Sequence, residues 1–226
     1  MSISRKLADS ATAPTSYAAL VTRAKTQPGE WVLVHAAAGG VGLAAVQIAK
    51  ALGAKVIATA GTADKLAVAK KFGADYGIDY TDKTWPQQVM KITGGHGADV
   101  VYDPVGLIDI SMKCIAWNGR LLVVGFAGGN IEKVALNRVL LKNVSIVGLH
   151  WGAYAKFEPE QQSIVWDGLM KMIADGKYKG TVYDGSKEFQ GLNDVGKALT
   201  ALGARKTWGK VVITIPENED EQKSKL

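Results

Sequence analysis

Cysteine is almost absent from this chain of 226 residues: Cys114 stands alone. No intramolecular disulfide framework can form, and the composition fits a reducing compartment. Histidine is scarce too. His35, His96 and His150 are scattered without metal-ligand spacing to one another or to Cys114, which argues against a zinc site built by this chain alone. Each reads as a strand-end or loop residue. No apolar run approaches the roughly 18 residues of a membrane span, and the start M-S-I-S-R-K-L has no hydrophobic signal core. Neither membrane spanning nor secretion is therefore expected. Basic clusters are missing as well: the formal charge is +6, but lysines and arginines are spread along the sequence rather than gathered in a run. That spread fits a solvated surface better than a nucleic-acid footprint. Internal repeats and low-complexity linkers are likewise lacking.

What the chain does have is apolar residues, 47% of it, enough at this length for one well-buried α/β core with a small appendage. Its most informative stretch runs from Trp31 to Thr62. An apolar strand, Trp31 to Ala37, leads through a glycine turn into an amphipathic run to Leu52, and a second strand, Lys55 to Ala60, follows. Gly39 and Gly42 fall on the second and third glycines of G-x-G-x-x-G, with Ala37 in place of the first. There the chain must pass close to a pyrophosphate and then pack a helix tightly on a strand, so the turn reads as a nucleotide site.

The end of the second strand bears on which nucleotide. NAD-preferring sites place a carboxylate there, about 20 residues after the glycines, to hold the ribose 2′-hydroxyl. This chain has Ala60 at that position, followed by Gly61, Thr62 and Lys65. A hydroxyl, backbone donors and a cation suit a 2′-phosphate, so NADPH is favoured over NADH. Asp64 lies past the strand end in the first turn of the next helix, where an acid complements the helix dipole, and reads as structural.

Strands and helices alternate through the rest. A helix is expected at Ala63 to Phe72, a short segment with I-D-Y at Ala74 to Tyr80, and a helix at Trp85 to Ile92. A buried strand follows at Asp99 to Asp103, stopped by Pro104 and turned at Gly106. Then come a helix at Ile110 to Ala116, a strand at Arg120 to Gly125, a buried strand at Val144 to Leu149 and a long helix from Pro159 to Asp175. This rhythm implies a doubly wound parallel sheet of about six strands, a Rossmann fold. Ligands sit beyond the carboxyl ends of such strands. That puts Ala37 to Gly42, Gly61 to Lys65, Pro104 to Gly106, Gly125 to Ala127 and His150 to Gly152 on one rim.

The series H-A-A-A-G-G-V-G-x-x-A-x-Q-x-A-K-A-L-G-A-K-V-I, A-T-A-G-T-x-x-K, I-D-Y, D-x-V-G and A-R-K-T-W-G-K-V-V-I resembles the quinone oxidoreductase, zeta-crystallin-like branch of the medium-chain dehydrogenase/reductase superfamily. The likeness runs from about Thr15 to Ile215. It implies that Ala38, Gly39, Gly40, Val41 and Gly42 carry the pyrophosphate, and that Thr62, Lys65, Tyr80 and Arg205 hold the 2′-phosphate. Gly125, Phe126 and the His150 to Gly152 segment, with Trp151, would flank the nicotinamide. Zinc-using members of the superfamily carry a Cys a few residues before the T-x-Y matched by Thr15 to Tyr17. Here Ala11 and Thr12 stand in that region, so the chain resembles the zinc-free branch. That branch needs no protein nucleophile, and no catalytic residue is assigned: the enzyme orients NADPH so that hydride passes to a quinone or an enone.

Relatives in that branch begin with a GroES-like β domain that this chain lacks. The expected organisation is a Rossmann domain over residues 15–180, a remnant of the GroES-like domain over 187–215 and a polar tail over 216–226. The strand Lys210 to Ile215 could then be orphaned, re-packed or swapped. The expected function is NADPH-dependent reduction of quinones or α,β-unsaturated carbonyls, or cofactor binding for it. The alternatives are a peroxisomal enoyl-thioester reductase and a non-catalytic NADPH-binding protein, the latter with RNA affinity as some relatives display. The end Ser224, Lys225, Leu226 reads as a peroxisomal import signal, with a cytoplasmic location as the alternative. The resemblance also implies a homodimer paired through the strand near Val144 to Leu149.

Overall fold

The computed structural model describes residues 12–215. Six strands form one parallel sheet in the order β3-β2-β1-β4-β5-β6: β1 (Trp31–Val34), β2 (Lys55–Ala60), β3 (Tyr76–Asp79), β4 (Ala98–Asp103), β5 (Ile115–Val123) and β6 (Ser145–Gly148). This is the doubly wound order, and its direction reverses between β1 and β4. Neighbouring strands there leave a crevice beyond their carboxyl ends.

Two apolar layers hold the sheet. Val32 and Val34 of β1 face one layer with Val56, Ala58, Val100 and Tyr102, covered by α1 (Ala13–Tyr17) and α2 (Gly40–Ala51). Leu33 faces the other with Ile57, Val101 and Leu121, covered by Trp85 and Val89 of α4 (Trp85–Ile92) and Ile108 of α5 (Ile108–Ser111). The alternation along β1 is the period-2 geometry of a strand, and burial on both faces explains why the sequence reads as an unbroken apolar run. Between α2 and α4 lies α3 (Ala63–Lys71), which follows β2. Further along come α6 (Leu136–Lys142), α7 (Tyr154–Phe157), the long α8 (Glu160–Ala174) and α9 (Val195–Gly203).

The helix α2 forms because L-A-A-V-Q-I-A-K-A is rich in strong helix formers, with Lys50 in its last turn complementing the dipole. It stops before Gly53, whose left-handed φ of +83 lets Ala54 N–H donate to Ala49 O at 3.0 Å. Its other end is fixed by contact. A Cβ on Gly42 would stand 2.8 Å from Ala37 Cα and 3.0 Å from Ala36 C, and closer still to the Ala36 carbonyl oxygen.

Several boundaries differ from the sequence expectation. β1 stops at Val34 rather than Ala37, because Ala36 turns left-handed at φ +46. The helix expected over Ile110 to Ala116 is only Ile108–Ser111, and β5 begins at Ile115 rather than Arg120. Asn118 and Gly119 resemble a turn in sequence, but the β4–β5 register shifts between Ala98 and Val100 and Asn118 takes φ +61. They form an irregularity inside one strand. β6 is not a buried strand: it is the sheet edge, with Ser145, Ile146 and Gly148 exposed. Lys210 to Ile215 makes isolated bridges, Val182 with Lys210 and Gln190 with Thr214, instead of a continuous strand. The polar tail and its terminal tripeptide, with Ala11, lie outside the described residues. Among the described residues, no helix is long and apolar enough to cross a membrane.

Gly42→Ala is expected to destabilise the fold by about 1–3 kcal/mol, since backbone on the β1 side must move to admit one methyl. Thermal melts of the two proteins check it. A variant with an unchanged Tm would contradict the contact.

Candidate functional site

A cavity of about 680 Å³ opens beyond the carboxyl ends of β1 to β5. Its walls come from the turn after β1 (Ala36, Ala38, Gly39, Gly40), the end of β2 (Ala60, Gly61, Lys65) and the loop after β3 (Tyr80, Thr81, Lys83). The loops after β4 (Val105, Leu107) and β5 (Ala127, Gly128) close a second side, and a C-terminal segment closes the third with Leu202, Arg205, Thr207, Trp208 and Gly209.

The glycine turn presents bare backbone. Gly39 is extended, with φ −75 and ψ 169, and no side chain caps the amino end of α2. A helix amino terminus with uncapped N–H groups attracts an anion, as a pyrophosphate requires. Behind the turn, the buried Ser16 hydroxyl donates to Val41 O at 2.8 Å and lies 2.9 Å from the Tyr102 hydroxyl. Burial pushes the Tyr102 phenol up from its ordinary 10, so it stays neutral and holds its proton for Ser16. The C-terminal segment is stapled to the same turn: Gly209 N–H donates to Ala38 O at 2.8 Å, and the Trp208 ring packs on Phe72 and Tyr183 at 5.6 and 5.8 Å.

Three cations line the cavity. Lys65, Lys83 and Arg205 share its wall with Tyr80, and none makes an ion pair among the described residues. Ala60 brings no carboxylate to this wall. The Thr62 side chain caps α3, accepting from Lys65 N–H at 3.4 Å, and Asp64 sits exposed in that helix's first turn.

Another part of the wall rests on a buried carboxylate. Asp103, 1% exposed, accepts from Val105 N–H at 2.8 Å, Gly106 N–H at 3.0 Å and Leu107 N–H, which fixes the loop after β4. Glu132 accepts from Ile108 N–H at 2.6 Å, and burial pushes its carboxyl up. His35 lies beneath, fully buried, with its ring edge-on to Trp85 at 5.1 Å. Ser111 donates its proton to Leu107 O at 2.6 Å, so its oxygen accepts from His35 Nε2–H at 2.9 Å. His35 Nδ1 is then the acceptor for the Thr59 hydroxyl at 2.9 Å. Burial lowers the imidazole pKa from 6.5 to about 4, against a smaller upward pull from Asp103.

Of the residues expected at the site, Ala38, Gly39, Gly40, Lys65, Tyr80 and Arg205 share this cavity. Val41 and Gly42 lie behind the turn, and Thr62 serves as a helix cap rather than as cavity wall. Gly125 packs on Pro104, and Phe126 is exposed near Gly106. Trp151 stacks on Tyr154 at 5.3 Å, and the His150 to Gly152 segment does not reach the cavity wall. Sequence reasoning missed Thr81, Lys83, Leu107, Leu202, Thr207 and Trp208. Thr81 and Lys83 had a local signal in closely following I-D-Y, and Thr207 and Trp208 one in the A-R-K-T-W-G-K motif.

Bare glycine backbone at a helix start, set at the switch point of a doubly wound sheet, defines a dinucleotide-binding domain. The comparisons with known proteins agree and go further. Residues 40–166 match the family model for zinc-binding dehydrogenases. The quinone oxidoreductase-like protein 2 homolog of Nematostella vectensis is 42% identical over 202 residues, covering 88% of this chain and 54% of that protein. Two solved structures superpose well. Escherichia coli quinone oxidoreductase complexed with NADPH has a TM-score of 0.76 at 33% identity, covering 89% of this chain and 62% of that one. The CurK enoyl reductase has 0.81 at 30%, covering 96% and 64%. The chain belongs to the zinc-binding dehydrogenase family, in the quinone oxidoreductase branch of the medium-chain dehydrogenase/reductases, and spans little more than half the length of the first of these relatives.

The family's name implies zinc, but the residues present do not fit it: among the described residues no group of three or more His, Cys, Asp or Glu could hold a metal ion. A nicotinamide dinucleotide does fit. Gly39 and Gly40 leave the cavity floor without side chains, and the unpaired cations suit phosphate.

His35 makes stability depend on pH. Between pH 6.5 and 4 the unfolded chain binds the proton that the buried ring refuses, so stability falls as pH drops through that window. The contribution is about 3 kcal/mol, fully lost below pH 4. Urea melts from pH 7 to 4 check it: His35→Gln is expected to flatten this part of the slope, and equal slopes would contradict the burial of a neutral ring.

Proposed function

We propose that this chain is the NADPH-binding part of an oxidoreductase that passes hydride to quinones or α,β-unsaturated carbonyls without zinc. One observation carries the reading. The bare turn at Gly39 and Gly40 and the cations Lys65 and Arg205 open on one cavity, in which Ala60 stands where a ribose-binding carboxylate would exclude a 2′-phosphate. NADPH, when bound, supplies the hydride. The chain's own part is to hold the pyrophosphate on the amino end of α2, grip the 2′-phosphate through Lys65, Tyr80 and Arg205, and orient the nicotinamide toward the loops after β4 and β5. The acceptor needs only to be electron-poor and close, since orientation rather than a protein nucleophile makes the step fast. Residues 187–215 are read as the remnant of the GroES-like domain; within them Arg205 and Gly209 line the cavity.

A second reading, reduction of an enoyl thioester, is favoured by the likeness to the CurK enoyl reductase. A non-catalytic NADPH-binding role is the third. Fluorescence titration with NADPH and NADH separates cofactor choice from turnover. NADPH is expected to bind at least about tenfold tighter, roughly 1.4 kcal/mol, and Lys65→Ala to abolish that preference. Equal affinities would sink the reading. Consumption of NADPH with 9,10-phenanthrenequinone supports the quinone activity, faster consumption with an enoyl-CoA supports the second reading, and tight binding with neither supports the third.

We also propose a homodimer joined through β6. Ile146 on that edge strand and Leu136, Leu140 and Leu141 on α6 are exposed in the single chain, and an uncovered edge offers a free row of backbone donors and acceptors. Light scattering should return twice the chain mass. Ile146→Pro, on the open side of β6 because Leu149 N–H donates to Val123 O of β5 and the sides alternate along the strand, is expected to shift it to the monomer, and a wild-type monomer at micromolar concentration would contradict the pairing.

A further inference from the structure

We infer that Lys83 is a third cation of the 2′-phosphate site, acting with Lys65 and Arg205 to select NADPH over NADH. The inference rests on the reading of the cavity as an NADPH site, and it gives a role to a residue that the sequence pattern left out. Lys83 lines the cavity with Lys65, Tyr80 and Arg205 but reaches it from a different element, the turn between β3 and α4.

Three features set it apart from an ordinary surface lysine. First, the acids beside it are occupied. Asp79 accepts from the Thr81 amide and hydroxyl, both at 2.8 Å, and Asp82 accepts from the Thr84 amide and hydroxyl and from Gln88 Nε2, all at 2.8 Å. Both carboxylates are folded back on their own turn, and Lys83 makes no ion pair among the described residues. A charge without a partner, next to two carboxylates that would ordinarily neutralise it, is available to an anion. Second, the turn is anchored. Two residues on, Trp85 is 2% exposed and packs edge-on against the buried His35 ring. The backbone that carries Lys83 is therefore held from below and by two hydrogen-bonded side-chain turns. Third, the convergence is from three sides. Lys65 comes from the start of α3, Arg205 from the segment after α9, and Lys83 from the turn before α4. A phosphate dianion has three oxygens to share among cations, whereas the 2′-hydroxyl of NADH offers no charge.

The test is the dissociation constant of the intact chain for NADPH and for NADH, in Lys83→Met, Lys83→Arg and Lys65→Ala, at two salt concentrations. Lys83→Met keeps the aliphatic stem and removes the charge. It is expected to weaken NADPH about five- to tenfold, leave NADH within about twofold, and lessen the salt dependence of NADPH binding. Lys83→Arg should restore NADPH affinity, and all variants should keep the wild-type Tm. If Lys83→Met binds NADPH as the wild type does, or loses both cofactors equally, while Lys65→Ala loses NADPH alone, the role of Lys83 is overturned and the NADPH site stands. If the wild type binds both cofactors equally, the site reading and this inference are both overturned.

Discussion

The approach of α2 to the end of β1 is the contact on which the rest of the molecule depends. At Gly42 no carbon can be added on the side facing Ala36 and Ala37, because the atoms met there are backbone and cannot swing aside. That closeness sets the helix axis against the sheet, so the amino end of α2 points into the crevice at the switch point, between β1 and β4. Several other devices act on the same turn. Ser16 and Tyr102 hold the Val41 carbonyl from behind, and Gly209 takes the Ala38 carbonyl from the C-terminal segment. The positive end of the helix dipole and the bare Gly39 and Gly40 are thus a consequence of packing, and an anion site follows from them without a dedicated side chain.

Around that fixed turn the charges are arranged asymmetrically. Carboxylates near the cavity are spent on backbone: Asp103 on three amides after β4, Glu132 on the start of α5, Asp79 and Asp82 on their own turns. The cations that line the cavity, Lys65, Lys83 and Arg205, are not spent in ion pairs among the described residues. The result is a set of cavity-lining cations that no carboxylate contacts directly, which leaves their N–H groups open to a phosphate. His35 links the sheet to the loop after β4. Its neutral ring joins Thr59 on β2 to Ser111 on α5, so the loop that carries Leu107 into the cavity is tied to the sheet by hydrogen bonds that protonation would disrupt.

Much of this was legible in the sequence, for identifiable reasons. Strands buried on both faces and helices with a periodic stripe leave distinct signatures, so the parallel sheet and the turn at Gly39 to Gly42 could be read directly. Asn118 and Gly119 misled because an N-G pair within a strand looks the same as one that ends it; only the shifted pairing with β4 shows the difference. β6 misled because an apolar run does not say whether it is covered by this chain or left at an edge. The His150 to Gly152 segment was placed on the rim by its position after a strand, and none of its residues lines this cavity. Leu202 was invisible, and Thr207 and Trp208 were noted only as part of a family motif with no place at the site, since all three reach it only when the chain returns from α9 to the first turn. Arg205 was named through family resemblance, not from its own surroundings.

The most direct test of the central claim, that one cavity built around the glycine turn holds NADPH, is amide hydrogen exchange with and without saturating NADPH. The account predicts slowed exchange confined to the segments around Gly39 to Val41, Gly61 to Lys65, Tyr80 to Lys83 and Arg205 to Gly209, with the β6 edge unchanged. Protection that misses the first of these segments, or that centres on β6 and α6, would contradict it.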